Sequence, residues 1–196
     1  MIIKDGCFIL HSKDGYLYGV SGLFSQGKYV DNSSADFLQT PLGELVAPVA
    51  GSGLPMPDFL YALPYDCFSE RAYAAIIKAN LTISSQVLAW LSVRAENTRG
   101  RERGRYWWPK HSSKGAYDVF DYENSKFTVH EADGKSPNDI SRWVLHGDTI
   151  QSLDLFYACK VNSRWFCTPR FKSVVEENEL TGFKFLPAEF SFVKDA

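Results

Sequence analysis

The sequence predicts an α+β protein with a mixed or mainly antiparallel sheet and two similar strand-helix-strand units. Three observations carry this reading. Short β-rich runs between turn residues fill most of the chain, only two segments have helical periodicity behind an N-cap residue, and those two align at a shift of 99 residues. With 196 residues, 45% hydrophobic and 15% aromatic, the chain can bury an adequate core without a metal or disulfide staple. Its composition is globular and excludes a disordered or collagen-like chain. One domain over 1–196 is expected, divisible into packed halves of about 1–93 and 115–196 joined by an Arg/Trp-rich loop.

Gly6 to Ser12 and Tyr16 to Ser21 flank Lys13-Asp14-Gly15 and read as an opening hairpin. Gln39 to Pro57 holds four prolines and three glycines, which predicts a connecting segment. Ser69 then opens a helix that places Ala72, Ala75, Ile76 and Ala79 on one face. Around it, Phe59 to Leu63 is β-compatible, and Gln86 to Val93 suits either a strand or an extension of the helix. Ala116 to Tyr122, Lys126 to Glu131 and Arg142 to His146 predict a meander of short strands. Asp154 to Lys160 and Arg164 to Cys167 follow as strands. Thr168-Pro169 supplies an N-cap and a first-turn proline for a helix to about Glu179, with Phe171, Val174, Val175 and Asn178 inward. Thr181-Gly182 ends it before a strand over Phe183 to Leu186.

The shift of 99 aligns Ser69 and Arg71 with Thr168 and Arg170. It then sets Ala72, Ala75, Ile76, Ala79 and Leu81 on Phe171, Val174, Val175, Asn178 and Leu180.

Most elementary chemistry is excluded by spacing. Cys7, Cys67, Cys159 and Cys167 form no CxxC and read as reduced, buried thiols. His11, His111, His130 and His146 lack ligand spacing, so no metal or cofactor is expected. Gly134-Lys135-Ser136 has Val129 where a phosphate loop needs glycine, and Gly19-Val20-Ser21-Gly22 has Leu23 where a nucleophile elbow needs it. Convergence of a distant His and Asp stays open. Asp118, Asp121 and Glu123 form an acidic cluster that could hold a cation or act in acid-base catalysis, but reads mainly as solvent-facing strand and turn residues. Glu176, Glu177 and Glu179 read as an exposed helix face or as phosphate mimics. The N-terminus has a short apolar run without a basic leader, and no stretch is long enough to span a bilayer, which predicts a cytoplasmic protein.

The net charge of -2 is unevenly spread. Seven basic residues against Glu96 and Glu102 give the segment Arg94 to Lys114 a local +5, leaving the rest of the chain near -7. Within it, Arg99, Arg101, Arg103, Arg105, Tyr106, Trp107 and Trp108 combine the side chains that dominate interface hot spots. They are the candidate partner-binding residues. The same composition suits RNA, through phosphate pairing and base stacking, or a mobile loop with core-anchored tryptophans.

Further on, Asp154-Leu155-Phe156, Arg170-Phe171-Lys172 and Leu180-Thr181-Gly182 resemble the C-terminal module of a bacterial polymorphic-toxin immunity family. In that family an Asp-Leu-Phe strand precedes a Ser-Glu-Arg-Phe-Lys helix start, and Gly-Leu-Thr-Gly closes the helix. Phe68-Ser69-Glu70-Arg71 is similar to the same helix start, and Asp118 to Ser125 to the family's central strand, so the resemblance covers roughly 59–187. Thr168-Pro169, Glu179, the first 55 residues and the Arg-rich segment depart from it. The resemblance implies an antidote that binds and neutralises a cognate secreted antibacterial toxin, often one delivered by contact-dependent or type VI secretion, with no active site of its own. Nucleic-acid binding through the Arg/Trp segment and an enzyme reversing a toxin's modification are the alternatives.

Overall fold

The computed structural model describes residues 2–12, 19–20, 24–25, 28–29, 44–50, 55–60, 66–84, 87–97, 103–111, 119–131, 134–150, 152–158 and 164–192. In chain order the strands before the first helix are β1 (Ile2–Ser12), β2 (Gly19–Val20), β3 (Phe24–Ser25), β4 (Lys28–Tyr29), β5 (Leu45–Ala50), β6 (Phe59–Leu60) and β7 (Cys67–Ser69). Helix α1 (Glu70–Lys78) leads to β8 (Val87–Asn97), β9 (Arg103–His111), β10 (Lys126–Val129), β11 (Pro137–Arg142) and β12 (Val144–His146). A short α2 (Gly147–Ile150), β13 (Leu155–Ala158), β14 (Arg164–Cys167), α3 (Pro169–Glu177) and β15 (Phe183–Ser191) complete it.

The molecule is sheet-rich α+β, with mixed sheets as expected. One sheet has the order β12-β15-β1-β14-β13, and an eight-stranded sheet runs β4-β3-β5-β8-β9-β7-β6 with β2 also on β5. Each contains one parallel pairing, β12 with β15 and β5 with β8, among antiparallel ones. A separate hairpin joins β10 and β11.

Several expectations are corrected. The opening hairpin does not form: β1 pairs with β14 on one side and β15 on the other, so neither edge is left for β2, which pairs with β5. The proline-rich connecting segment contains strand β5. Pro48 stands between the residues that pair with β3, Leu45 and Val46, and those that pair with β2, Val49 and Ala50. The meander is replaced by an isolated β10–β11 hairpin and a parallel β12. Strand β1 lies inside the sheet of the C-terminal strands.

The largest core joins one face of each sheet to both helices: Phe8, Leu10, Trp165 and Cys167 from one, Phe59 and Phe68 from the other, and Ala72, Ile76, Phe171 and Val175 from α1 and α3. Strand alternation sends the intervening residues to two outer cores. Cys7, Ile9 and Phe166 join Phe120, Leu145 and Phe190, while Cys67 joins Val93, Tyr106 and Trp108. Cys7, Cys67 and Cys167 are buried free thiols, as read, and burial raises the pKa of each; Cys159 lies outside the described residues.

Two buried aspartates hold the helices. Asp58 accepts from Ser69 Oγ at 2.6 Å, Arg71 Nη2 at 2.6 Å and Thr181 N at 2.7 Å, and Ser69 Oγ in turn accepts from Ala72 N as the α1 cap. Arg71 also donates to the Glu179 carbonyl, beyond the end of α3. Asp154 accepts from Thr168 Oγ1 at 2.9 Å, Arg170 Nη1 at 2.8 Å and Thr82 N at 2.9 Å, and Arg170 donates to the Ala79 carbonyl beyond α1. Each guanidinium thus satisfies carbonyls orphaned at the C-terminus of the other helix. Both helices are followed by a left-handed residue, Asn80 at φ 49° and Glu179 at φ 50°. Helix α3 ends at Glu177 with Asn178 as its C-cap, close to the expected end at about Glu179, and Asn178 is exposed rather than inward, donating to the Val174 carbonyl.

Candidate interaction surface

The Arg/Trp segment is a strand, from Arg103 onward, rather than a loop. Its period-two pattern explains the outcome: Gly104, Tyr106, Trp108 and Lys110 alternate with Arg105, Trp107 and Pro109, and every residue from Arg103 to His111 pairs with β8. Trp108 is fully buried with Lys110 Nζ 5.4 Å from its ring, and Tyr106 is buried with its hydroxyl donating to the Pro57 carbonyl at 2.6 Å. These two side chains are core anchors.

Arg105 and Trp107 face the other way, toward α1. The Trp107 ring stacks on Tyr73 of α1 with centroids 4.4 Å apart, and Tyr73 continues to Trp90 of β8 at 5.1 Å. Trp107 is half-buried and Arg105 exposed. Beside them, Glu44, Ser92, Arg94, Gly104 and Arg105 line a concavity of about 280 Å3. Arg99 and Arg101 lie outside the described residues; Arg103 stands across from Glu96 in the register.

Among the described residues, part of the local +5 is offset in space. Arg94 pairs with Glu96 and with Glu44 at 3.0 Å, and Arg105 lies 3.6 Å from Glu70. Glu44 and Glu70 come from outside the basic segment, so counting charge along the chain missed them. The surface is a mixed lattice of charge around an aromatic stack. No protein-family model matches the chain. No curated protein matches it either.

The distant His and Asp do converge, with a serine. His146 Nδ1 lies 4.0 Å from Asp121 Oδ2 and 3.5 Å from Ser191 Oγ. A catalytic relay needs the carboxylate and the hydroxyl on opposite ring nitrogens, whereas here both face Nδ1. Asp121 instead ties a turn: it is buried and accepts from Glu123 N, Asn124 N and Asn124 Nδ2. Burial alone would raise its pKa, but hydrogen bonds from Ser191 and Asn124 outweigh this and hold the carboxyl below its usual range. Asp118 lies outside the described residues, and Glu123 is exposed. Among the described residues no group of three or more His, Cys, Asp or Glu is placed to hold a metal ion. Glu176, Glu177 and Glu179 are exposed, with Glu176 3.8 Å from Lys172. Among the described residues, no helix is long and apolar enough to cross a membrane.

Proposed function

We propose that this chain is a binding protein of the polymorphic-toxin immunity type, which neutralises a partner toxin domain by contact, covering its active site, and performs no chemistry itself. The observation that carries this reading is the presentation of Arg105 and Trp107 on a paired strand, with Trp107 already stacked on Tyr73. Arg and Trp are the side chains most enriched at interface hot spots, and one fixed before binding loses less entropy on binding. The adjoining concavity and its alternating charges favour a protein partner of complementary potential. They disfavour nucleic acid as the principal ligand, because Arg94 and Arg105 already meet carboxylates rather than presenting an uncompensated basic track. The motif resemblance supplies the class of partner.

Calorimetric titration with the product of the neighbouring gene, expected on this reading to carry the toxin domain, tests the surface. Replacing Arg105 by Glu and Trp107 by Ala together is expected to weaken binding by about a hundredfold, the loss of two hot-spot contacts of about 1–2 kcal/mol each. Unchanged affinity in a folded double variant rejects this face. Tight, steeply salt-dependent binding of single-stranded RNA in its place would favour the nucleic-acid alternative.

We further propose that the chain consists of two similar strand-helix-strand units. Support comes from the parallel roles of Ser69 and Thr168, Arg71 and Arg170, Asp58 and Asp154, Thr181 and Thr82, and the left-handed Asn80 and Glu179. The strand order β6-β7-β9-β8-β5 corresponds to β13-β14-β1-β15-β12, with antiparallel pairings throughout except the last in each. On this reading β1, at the N-terminal end, supplies to the second unit the strand that β9 supplies to the first.

A further inference from the structure

On the outer face of the other sheet lies a groove of about 590 Å3, within the range of small-molecule sites. Its floor is apolar: Ile9 of β1 pairs with Leu186 of β15 on one side and Phe166 of β14 on the other. Two residues along, His11 pairs with Lys184, and the β1–β14 register continued by two places sets Arg164 across from His11. Cross-strand partners share a face. Lys184, His11 and Arg164 therefore form one basic row over three adjacent strands at the end of the apolar floor, and His11 and Arg164 line the groove itself.

The opposite wall is β11 and the residue after it, Ile140 and Trp143. It is fixed in place. Arg142 donates twice to Glu189 of β15, at 3.2 and 2.6 Å, Glu189 N donates to the Trp143 carbonyl at 2.9 Å, and the Trp143 ring meets Phe166 edge-on at 5.6 Å. The groove is thus preformed. Asp139 on the same wall has φ 28°, a backbone conformation disfavoured for a residue with a Cβ and kept where the surroundings impose it. Burial lowers the pKa of Arg164.

We propose that this groove binds an organic anion, its carboxylate, sulfonate or phosphate head on the Lys184–His11–Arg164 row and its flat apolar body on Ile9 and Leu186 beside Trp143. The Asp139 carboxylate repels such a head and leaves the basic row as its seat. This site is on a different sheet from Arg105 and Trp107 and stands independently of the proposed toxin binding.

The test titrates the full chain with anilinonaphthalene sulfonate, an anionic aromatic, and with neutral phenylnaphthylamine, following probe fluorescence. The expected result is saturable one-to-one binding of the sulfonate, about tenfold tighter than the neutral probe and weakened by salt. Arg164→Gln should remove that preference. Asn138→Trp, which fills the groove and leaves the basic row intact, should abolish binding of both probes, so the test survives if the Arg164 variant fails to fold. Equal affinity for the two probes, or sulfonate binding that Asn138→Trp leaves unchanged, would overturn the proposal.

Discussion

Asp58 illustrates how much of this molecule depends on single polar side chains. Its carboxylate is buried, yet donors from Ser69, Arg71 and the Thr181 backbone replace the water it has lost. Asp58→Ala should therefore leave several donors unmatched and cost about 2–4 kcal/mol, measured by urea denaturation. Arg71→Ala should cost less, because that side chain is over half exposed, at 56%. The same contacts set a pH dependence. Burial alone would raise the Asp58 pKa, but the hydrogen bonds from Arg71, Ser69 and Thr181 bring it below the ordinary value, as happens at Asp121. A folded-state pKa below the unfolded value of about 3.9 means the stabilisation is complete above that pH and is lost as pH falls through the folded values. The urea midpoint should stay flat in this contribution from pH 7 to about 5, fall below about 4, and fall less steeply in the folded Asp121→Asn variant.

At the scale of the element, strand β9 separates a fully buried tryptophan from a half-buried one. Trp108→Ala should destabilise by about 3–5 kcal/mol, as expected for a fully buried ring, while Trp107→Ala should cost only about 1 kcal/mol, the loss of its stack on Tyr73. Thermal or urea unfolding distinguishes the two. At the end of α3, Glu179→Gly relieves a left-handed backbone at φ 50° and should stabilise by about 0.5–1 kcal/mol. The reverse holds at Gly182, where φ is 87° and an added Cβ would lie 2.5 Å from Pro57 Cβ.

Both long helices and β14 were legible because caps and apolar periodicity are local signals: Ser69, Thr168-Pro169 and the buried faces of α1 and α3 stand where the sequence places them. What local signals lack is a partner. Nothing near β1 states that its neighbours are β14 and β15, more than 150 residues away, and nothing near Arg94 or Arg105 reveals Glu44 or Glu70. Strand β9 was hidden differently, since its glycines and arginines imitate a loop although its alternation was readable. Asp58 and Asp154 gave no sign of their role before their donors were brought to them from the opposite helix ends.

For the whole molecule, the placement of β1 gives a direct prediction. Ile2 pairs with Ser191, so a short linker from the end of β15 to the start of β1 would close an antiparallel hairpin like that of β8 and β9. A permuted chain running from residue 13 through 196 and then through residues 1–12 should fold with nearly unchanged stability, and near- and far-ultraviolet circular dichroism would read it. A permutant that fails to fold would argue against two similar units. The arrangement also leaves the Arg105–Trp107 face on one sheet and the basic groove on the other, so changes at one should not alter binding at the other.

The most direct measurement of the central claim is co-expression of the full chain with the product of the neighbouring gene, the partner that the proposal expects to be a toxin, following growth and the size of the purified product. The account predicts restored growth and a stoichiometric complex, both lost when Arg105 is replaced by Glu and Trp107 by Ala in a variant that still folds. Growth that stays arrested, with the two proteins eluting separately at micromolar concentration, would contradict it.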